Sequence, residues 1–553
     1  MATNKWTPTP ISYWLIRQLF KFVLKIFYGS IVVEGTHNIP ISGRPCIVAA
    51  NHSNSLTDAL LLVTSIPPKQ RNMLRLTAKA TQFGHPTFTS WLIESAGTVP
   101  IKRKKDYADG SADNTDIMGK LMEALELGDA ICLFPEGMSR YHPTIAPLKT
   151  GGSSFLIDSF SPFQPLLTVA RLISDVLTRN RNNPGFEICL LNCSVTYMHR
   201  QHFRSDVLVT FHPPMTFSPK THPELLAPID YMNIRTLTAQ MHDQISSGTI
   251  DSPSWDLVRV SKLAARIYAP LGTRMSLGDH VRVVRTFLEA FKAAGDAPET
   301  DESHPEDEDK TAAETAELAQ LRLDLRTYQD QLALWGIKDD RIRRQSLPRH
   351  IIISRIIVRL GWSLCLFSIS IPGLLLWLPI FLTTFYAVHN FKKTGPIFDT
   401  WDEIAQYKLI YGLISGLCVW FGSSLLTFPF SGFTFFLVPA LMWMTLRWLE
   451  DAVSAFRAFS ALVRLLRVGK PTLRSMHVRR EDLHARVMRL AIDTLELPED
   501  PETYFAGHGG KEKGRVRGRW ESGSRYFSIK RRRKRDWNET LRLYDVVDYP
   551  KEE

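Results

Sequence analysis

The sequence is poor in cysteine, with six in 553 residues, and none of them forms a C-x-x-C pair. Several lie in apolar runs, which is unlike a disulfide scaffold or a thiolate metal site. The histidines show no ligand spacing with cysteine or acidic partners. The sequence therefore predicts reduced, buried thiols, no bound metal and no cofactor. The cysteines are Cys46, Cys132, Cys189, Cys193, Cys365 and Cys418.

The pattern of a secretory leader is also missing. Met1–Pro10 is polar and contains two prolines, whereas a leader needs a basic region followed directly by an apolar core. Residues 11–28 are rich in large apolar groups, interrupted by Arg17, Lys21 and Lys25. On a helix these three cations form one stripe. Residues 1–35 are therefore predicted to be a helix that either lies on a membrane or faces a protein core.

Charge is absent from two long stretches, Leu360–Val388 with 29 positions and Leu409–Leu446 with 38. A helix needs about 20 apolar residues to cross a bilayer, so 351–450 is predicted to be a membrane region. Each block is expected to form a hairpin, turning near Pro372–Pro379 and near Phe428–Gly432. Because basic residues flank both blocks, the positive-inside rule predicts an even number of crossings, with the catalytic domain and the tail in the cytosol. The flanking cations are Arg355, Arg359, Lys392, Lys393, Lys408 and Arg447.

Charge is concentrated elsewhere, and the formal net charge is +11. Pro298–Lys310 is acidic and lacks large apolar residues, so 293–311 is predicted to be a disordered linker. Residues 312–350 have a helical pattern, and 451–553 are expected to be helical and then basic and partly disordered. The basic tail fits a patch on anionic lipid, a solvated tail or a nucleic-acid site. No recognisable motif supports the last, so no nucleic-acid partner is expected.

Between these regions, residues 30–220 alternate between short apolar runs and helical stretches, which is typical of an α/β domain. A further 70 residues, 223–292, have a largely helical pattern. We therefore expect an α/β domain over 36–292. The predicted strands are Ile31–Val33, Cys46–Ala50, Ala130–Phe134, Ile188–Val195 and Val207–Phe211.

One pattern could support proton transfer. Asn51–Asp58 reads NHSNSLTD directly after a predicted strand, and ends of strands in α/β sheets are where sites collect. His52 could accept a proton near neutral pH, and Asp58 could fix its tautomer. Taken alone, the pair also fits a capping or turn histidine.

Two further patterns could bind an anion. Gly97–Arg103 reads GTVPIKR and is followed by two more lysines; arginine pairs with two phosphate oxygens, and lysine adds a point charge. Leu133–Arg140 reads LFPEGMSR, and Pro147–Ser153 reads PLKTGGS. Glycine-rich turns with free N–H groups suit phosphate. Each pattern alone also fits a solvated surface run or a plain turn.

In this order and spacing, the three patterns resemble the glycerolipid acyltransferase family over about residues 40–215. Cys193–Tyr197 and Phe203–Ser205 are similar to the glycerol-3-phosphate/dihydroxyacetone-phosphate acyltransferase branch. Five residues separate His52 from Asp58, where four are common in the family, and a subset that includes this branch also has five. The arginine of the third motif is moved by one place, to Arg140, so its role is left open.

The resemblance implies an α/β acyltransferase domain, a mixed sheet flanked by helices, followed by helical segments and C-terminal transmembrane helices. It implies an acyl-CoA-dependent O-acyltransferase of glycerolipid synthesis at the endoplasmic reticulum, acting on glycerol-3-phosphate and also on dihydroxyacetone phosphate. Expected partners are acyl-CoA, the acceptor and the lipid bilayer. A lysolipid acceptor and a non-catalytic membrane scaffold are the alternatives. The implied site residues are His52 and Asp58 for catalysis, with Lys102, Arg103, Glu136, Gly137 and Lys149 binding the acceptor.

Overall fold

A computed structural model describes residues 7–102, 114–140, 142–148, 168–200, 203, 205–270, 273, 275–294, 305–343, 348–394 and 400–505. The described residues form two compact units. The first contains the residues up to 251 together with 400–406, and the second contains 252–394 and 407–505. The predicted domain boundaries stay predictions.

The first unit is built on a seven-stranded mixed sheet. Its path is β1-β8-β7-β2-β6-β3, with β9 also paired to β7. The pairs β1/β8, β2/β7, β2/β6 and β3/β6 are parallel, whereas β8 and β9 run antiparallel to β7. The strands are β1 Ser30–Glu34, β2 Cys46–Ala50, β3 Leu74–Arg75, β6 Ala130–Leu133, β7 Ile188–Tyr197, β8 Asp206–Phe211 and β9 Met215–Phe217. A separate parallel pair contains β4 Thr77–Lys79 and β5 Val99–Ile101.

All five predicted strands are confirmed, and β2 lies inside the sheet between β7 and β6. Every residue of β2 and β6 is buried, as expected for strands covered on both faces. The helices of this unit are α1 Ile11–Phe27, α2 Leu56–Ser65, α3 Phe88–Ser95, α4 Thr115–Glu126, α5 Val169–Arg179 and α6 Tyr231–Ser247. α4, α5 and α6 contribute to the core cluster that contains Ile47, Ile131 and Leu190. The prediction of an α/β fold is therefore confirmed.

Helix α1 has two different apolar faces. Tyr13, Phe20 and Leu24 are buried, as a core-facing helix requires, and the membrane-associated helix stays a prediction. Arg17 is only 5% exposed and does not join an exposed basic stripe. The opposite face exposes Ile11, Trp14, Leu15 and Phe22, as an interfacial helix would require.

The second unit is helical among the residues described. Its helices are α7 Trp255–Tyr268, α8 Leu277–Ala293, α9 Pro305–Trp335, α10 Asp339–Arg343, α11 Arg349–Thr394, α12 Thr400–Leu426 from residue 407 on, α13 Ser431–Val468, α14 Lys470–Arg489 and α15 Pro501–Tyr504. α9 begins inside the stretch predicted to be a linker. Proline at the first helical position, followed by acidic residues, suits a helix N-terminus. A buried ion pair joins α10 to α14, with Arg480 Nε 3.0 Å from Asp339 Oδ1.

Among the described residues, three helices are long and apolar enough to cross a membrane: Arg349–Lys393, Glu403–Leu426 and Ser431–Val468. The second charge-free block forms a helical hairpin as predicted, with its turn between α12 and α13. The hairpin predicted for the first block is wrong, because α11 continues through Pro372 and Pro379. Two crossings need about 40 residues, and the first block has only 29. The prediction of an even number of crossings rested on that hairpin and loses its basis.

Close packing joins α11 to α13. A Cβ atom built on Gly373 would lie 1.7 Å from Thr445 Oγ1, so only glycine fits there. Four residues on, Trp377 Nε1 donates to the carbonyl of Met442 at 3.0 Å. Small residues and interhelical hydrogen bonds of this kind are how apolar helices associate in lipid. Four of the six cysteines are buried, whereas Cys365 and Cys418 are exposed on these apolar helices.

Candidate functional site

The site is centred on the turn that joins β2 to α2. Asn51 forms two hydrogen bonds with the backbone of Val195 on β7, at 2.7 and 3.0 Å. These bonds fix the backbone directly before His52. The His52 ring is stacked on Phe134 at the end of β6, with ring centroids 4.0 Å apart. The imidazole is 18% exposed, so it is held firmly and still open to a ligand.

Asp58 orients that imidazole. Asp58 lies in the first turn of α2 and is fully buried. Its Oδ2 is 2.9 Å from His52 Nδ1 and accepts the backbone N–H of Asn54 at 2.7 Å. Its Oδ1 accepts the hydroxyl of Tyr197 at 2.5 Å. A carboxylate hydrogen-bonded to the ring in this way can fix the histidine tautomer and stabilise an imidazolium.

Tyr197 is a site residue for which the sequence analysis predicted no role. It ends β7, and the antiparallel return of β8 fixes its position in the sheet. Burial, then the charge of Asp58, raises the pKa of the Tyr197 phenol well above its ordinary value. The phenol therefore remains a hydrogen-bond donor throughout the working pH range. The sequence contains little sign of this role, because only the position of Tyr197 at the end of a strand distinguishes it.

The turn itself contains a strained residue. Ser55 has a φ of 46°, which is sparsely allowed for residues other than glycine. It is the N-cap residue of α2, yet its side chain forms no capping bond. Its N–H donates to Ser139 Oγ at 2.9 Å. Its hydroxyl donates to Gln406 Oε1 at 3.0 Å, and the next N–H, that of Leu56, donates to the same oxygen at 3.4 Å.

Glu136 fixes the other side of the turn. Its Oε1 accepts the His52 N–H at 2.6 Å, and its Oε2 accepts the Ala146 N–H at 3.1 Å. Gly137 follows with a φ of 72°, in the left-handed region that favours glycine. The Arg140 N–H donates to the carbonyl of His52 at 3.2 Å. The third motif is therefore hydrogen-bonded to the first through backbone and carboxylate.

Burial raises the pKa of Glu136 to about 7. The folded carboxyl group then keeps its proton to a higher pH than the unfolded one, which has an ordinary value of 4.5. Between these pH values the folded state binds more protons than the unfolded state. The free energy of unfolding should therefore fall by on the order of 3 kcal/mol as the pH rises from 4.5 to about 7, and then level off. Thermal unfolding in detergent over pH 4.5–8 measures this. Glu136→Gln should lack that part of the slope, and the exposed control Glu224→Gln should keep it. Parallel curves for wild type and Glu136→Gln would contradict the expectation.

The predicted site residues are only partly brought together. The structure brings four of them together where the turn after β2 meets the turn after β6: His52, Asp58, Glu136 and Gly137. Lys102 follows β5, is exposed, and has its backbone bonded to the Asn114 side chain at 3.0 and 2.9 Å. No hydrogen bond among the described residues joins Lys102 to His52 or Asp58. Arg103 and Lys149, and the basic tail, lie outside the described residues. Among the described residues, no three His, Cys, Asp or Glu side chains are grouped so that they could hold a metal ion.

Two family models match the chain. The Acyltransferase model matches residues 30–169, which include β1, β2, β6 and all of the His52 turn. The model of the Glycerol-3-phosphate acyltransferase 2 C-terminal domain matches residues 310–395. The two segments lie in different compact units.

The chain is also similar to individual acyltransferases from fungi and human. It is 20% identical to an uncharacterized acyltransferase of Schizosaccharomyces pombe, over 81% of this chain and 75% of that protein. It is 23% identical to glycerol-3-phosphate O-acyltransferase 2 of Saccharomyces cerevisiae, over 56% of this chain and 37% of that protein. It is 26% identical to human 1-acyl-sn-glycerol-3-phosphate acyltransferase alpha, over 28% of this chain and 50% of that protein.

The chain thus spans three quarters of the first relative but only about a third of the yeast enzyme and half of the human one. The match over residues 30–169 carries the acyltransferase assignment, and the match over 310–395 adds a segment particular to one branch. The chain therefore contains an acyltransferase domain and a segment that matches the glycerol-3-phosphate acyltransferase 2 C-terminal domain, and its similarity to two yeast glycerol-3-phosphate O-acyltransferases supports the glycerol-3-phosphate acyltransferase branch.

Proposed function

We propose that this chain transfers an acyl group from acyl-CoA to a hydroxyl of glycerol-3-phosphate, and also to dihydroxyacetone phosphate. The observation that carries the proposal is the 2.9 Å contact between His52 Nδ1 and the buried Asp58. Because Nδ1 donates its hydrogen to Asp58, Nε2 is the nitrogen left to accept a proton. The ring is partly exposed, as a base that meets a substrate must be.

The chemistry is a direct displacement. A thioester is already activated, so no acyl-enzyme is needed. His52 Nε2 takes the hydroxyl proton as the alcohol oxygen attacks the thioester carbonyl, and Asp58 stabilises the imidazolium. The tetrahedral intermediate expels the CoA thiolate, which receives the proton from His52. General-base catalysis of this kind is typically worth roughly 10²–10⁴ in rate.

The acceptor is proposed to be bound through its phosphate. Arg103 supplies a planar fork for two phosphate oxygens, and Lys102 and Lys149 supply point charges. Glu136 and Gly137 shape the turn beside His52. Fixing the phosphate would bring one hydroxyl to the base, and orientation of this kind can lower a barrier by several kcal/mol.

The surroundings suit a lipid substrate. Three helices are long and apolar enough to cross a bilayer, and α1 exposes a row of apolar side chains. Acyl-CoA and the acylated product both partition toward a bilayer. We propose that the protein works at the endoplasmic reticulum membrane, with the catalytic domain on the cytosolic side, and without a cofactor.

The second candidate acceptor is lysophosphatidate, which is 1-acyl-sn-glycerol-3-phosphate. A human relative at 26% identity is named as an acyltransferase of that compound. Purified full-length protein in detergent should be given labelled acyl-CoA with glycerol-3-phosphate, dihydroxyacetone phosphate or lysophosphatidate. Acylation of glycerol-3-phosphate is expected, with His52→Ala protein as the blank. Acylation of lysophosphatidate alone would make the second candidate correct.

Tyr197→Phe should lower kcat about tenfold and leave KM for the acceptor within about twofold. The variant loses one hydrogen bond to a buried carboxylate, a contact worth roughly 1.5–3 kcal/mol, and it adds no bulk. Steady-state kinetics with glycerol-3-phosphate measures the two parameters separately. Tyr386→Phe, on α11 and 70% exposed, is the matched control and should retain wild-type kcat. An unchanged kcat in Tyr197→Phe would show that the Tyr197 hydroxyl does not support catalysis.

A further inference from the structure

We propose that Gln406 is a positioning residue for the His52–Asp58 pair, because its side-chain carbonyl caps α2 and holds the bend at Ser55. This inference rests on the proposed function for its catalytic readout. Gln406 lies 351 positions after Ser55 in the chain, yet both belong to the same compact unit.

A helix starts with N–H groups that have no partner within the helix, and an N-cap side chain usually accepts from one of them. Ser55 occupies that position but makes no such bond, and its φ of 46° departs from the extended backbone usual there. The serine hydroxyl is instead a donor, 3.0 Å from Gln406 Oε1. Gln406 Oε1 also accepts the N–H of Leu56, the first helical residue, at 3.4 Å, so an oxygen from outside α2 satisfies an N–H that has no partner within the helix.

The bend at Ser55 sets the position of Asp58. The Asp58 N–H donates to the Ser55 carbonyl at 3.2 Å, and this bond closes the first turn of α2. A backbone conformation as strained as that of Ser55 persists only where its surroundings fix it. The hydrogen bonds that fix Ser55 through its side chain and N–H come from Gln406 and Ser139. Loss of the Gln406 acceptor should let the first turn relax and move Asp58 away from His52.

Gln406 is itself held in place. The two preceding residues, Ile404 and Ala405, are 1% and 0% exposed, so the start of α12 is anchored where Gln406 projects. The side chain of Gln406 is only partly buried. A substitution there should disturb its hydrogen bonds more than the packing of the core.

The test compares three variants of the full-length protein in detergent. Gln406→Met keeps the length of the side chain and removes the acceptor; kcat with glycerol-3-phosphate should fall about tenfold, with KM within about twofold. Gln406→Glu keeps an oxygen acceptor at a helix N-terminus, where negative charge is favourable, and should restore most of the rate. Ser415→Ala is the control on the same helix, since that hydroxyl bonds only carbonyls of its own helix, and it should match wild type.

A second measurement does not depend on activity. Hydrogen–deuterium exchange of a peptide covering residues 53–60 should be faster in Gln406→Met and near wild type in Gln406→Glu. Wild-type kcat together with unchanged exchange in Gln406→Met would overturn the inference. Equal loss in the Met and Glu variants, both folded by thermal midpoint, would also overturn it. If wild-type protein acylates no acceptor, the proposed function fails, while the exchange data still decide whether Gln406 caps α2.

Discussion

His52→Ala is expected to lower kcat/KM for glycerol-3-phosphate by roughly 10²–10⁴. The variant removes the nitrogen proposed to take the hydroxyl proton, while the turn keeps its backbone bonds to Glu136 and Arg140. The ring is partly exposed and lies at the edge of the core, so the fold should survive its truncation. Initial rates over a range of both substrates, together with thermal midpoints, measure the two effects separately.

The matched control is His37→Ala. His37 is exposed on a short 3-10 helix after β1, and its truncation should leave turnover at the wild-type level. A His52→Ala protein that is folded and fully active would rule out His52 as the base. It would instead favour a base at a different site, or a non-catalytic scaffold with a contaminating acyltransferase responsible for the measured activity.

Asp58→Asn is expected to lower kcat on the order of 10³–10⁴, although the side chain keeps its size. Asp58 faces three donors, from His52, Asn54 and Tyr197. An amide has one acceptor oxygen and one NH₂ group, so it cannot accept from all three groups in their present orientation. Where the amide nitrogen faces His52, Nδ1 becomes the acceptor and the ring hydrogen moves to Nε2. Nε2 could then no longer take the proton of the alcohol.

This prediction is checked by kcat and by stability together. The buried mismatch should also lower the free energy of unfolding by about 1–3 kcal/mol, visible as a lower thermal midpoint. Asp243→Asn is the control, because Asp243 is 83% exposed and should change neither quantity. A kcat for Asp58→Asn within about threefold of wild type would show that the pair contributes little to proton transfer.

The turn that contains His52 could be predicted from the sequence because it is local. Cys46–Ala50 is a continuous apolar run, which marks a buried strand, and the motif that follows is placed by the end of that strand. The link between this turn and Glu136 followed from family resemblance. Its physical reason, two backbone N–H groups on one carboxylate, became visible only in the fold.

Tyr197 and Gln406 could not be predicted in the same way. They contact the turn across 139 and 351 positions of sequence, and a single polar residue at a strand or helix end has no periodic pattern. The strained φ of Ser55 was equally hidden, because serine favours no particular turn strongly enough to reveal it. Long-range side-chain contacts of this kind depend on the assembled fold.

The prolines of α11 led the prediction in the wrong direction. In water a helix interior with two prolines would be broken, and that expectation placed a turn near Pro372–Pro379. In an apolar helix the remaining backbone groups still pair within the segment, whereas a turn would expose several unpaired groups to lipid. The number of charge-free residues, compared with the number that each crossing needs, was the better predictor of a single helix.

The bond from Gln406 to Ser55 and Leu56 bears on how this enzyme can be produced. A shortened protein ending after the sheet and its helices would still contain every residue of the recognised motifs. It would nevertheless lack the oxygen that closes the start of α2, and an inactive fragment of that kind would say nothing about the motifs themselves. Biochemical work on this enzyme should keep the chain at least through the beginning of α12.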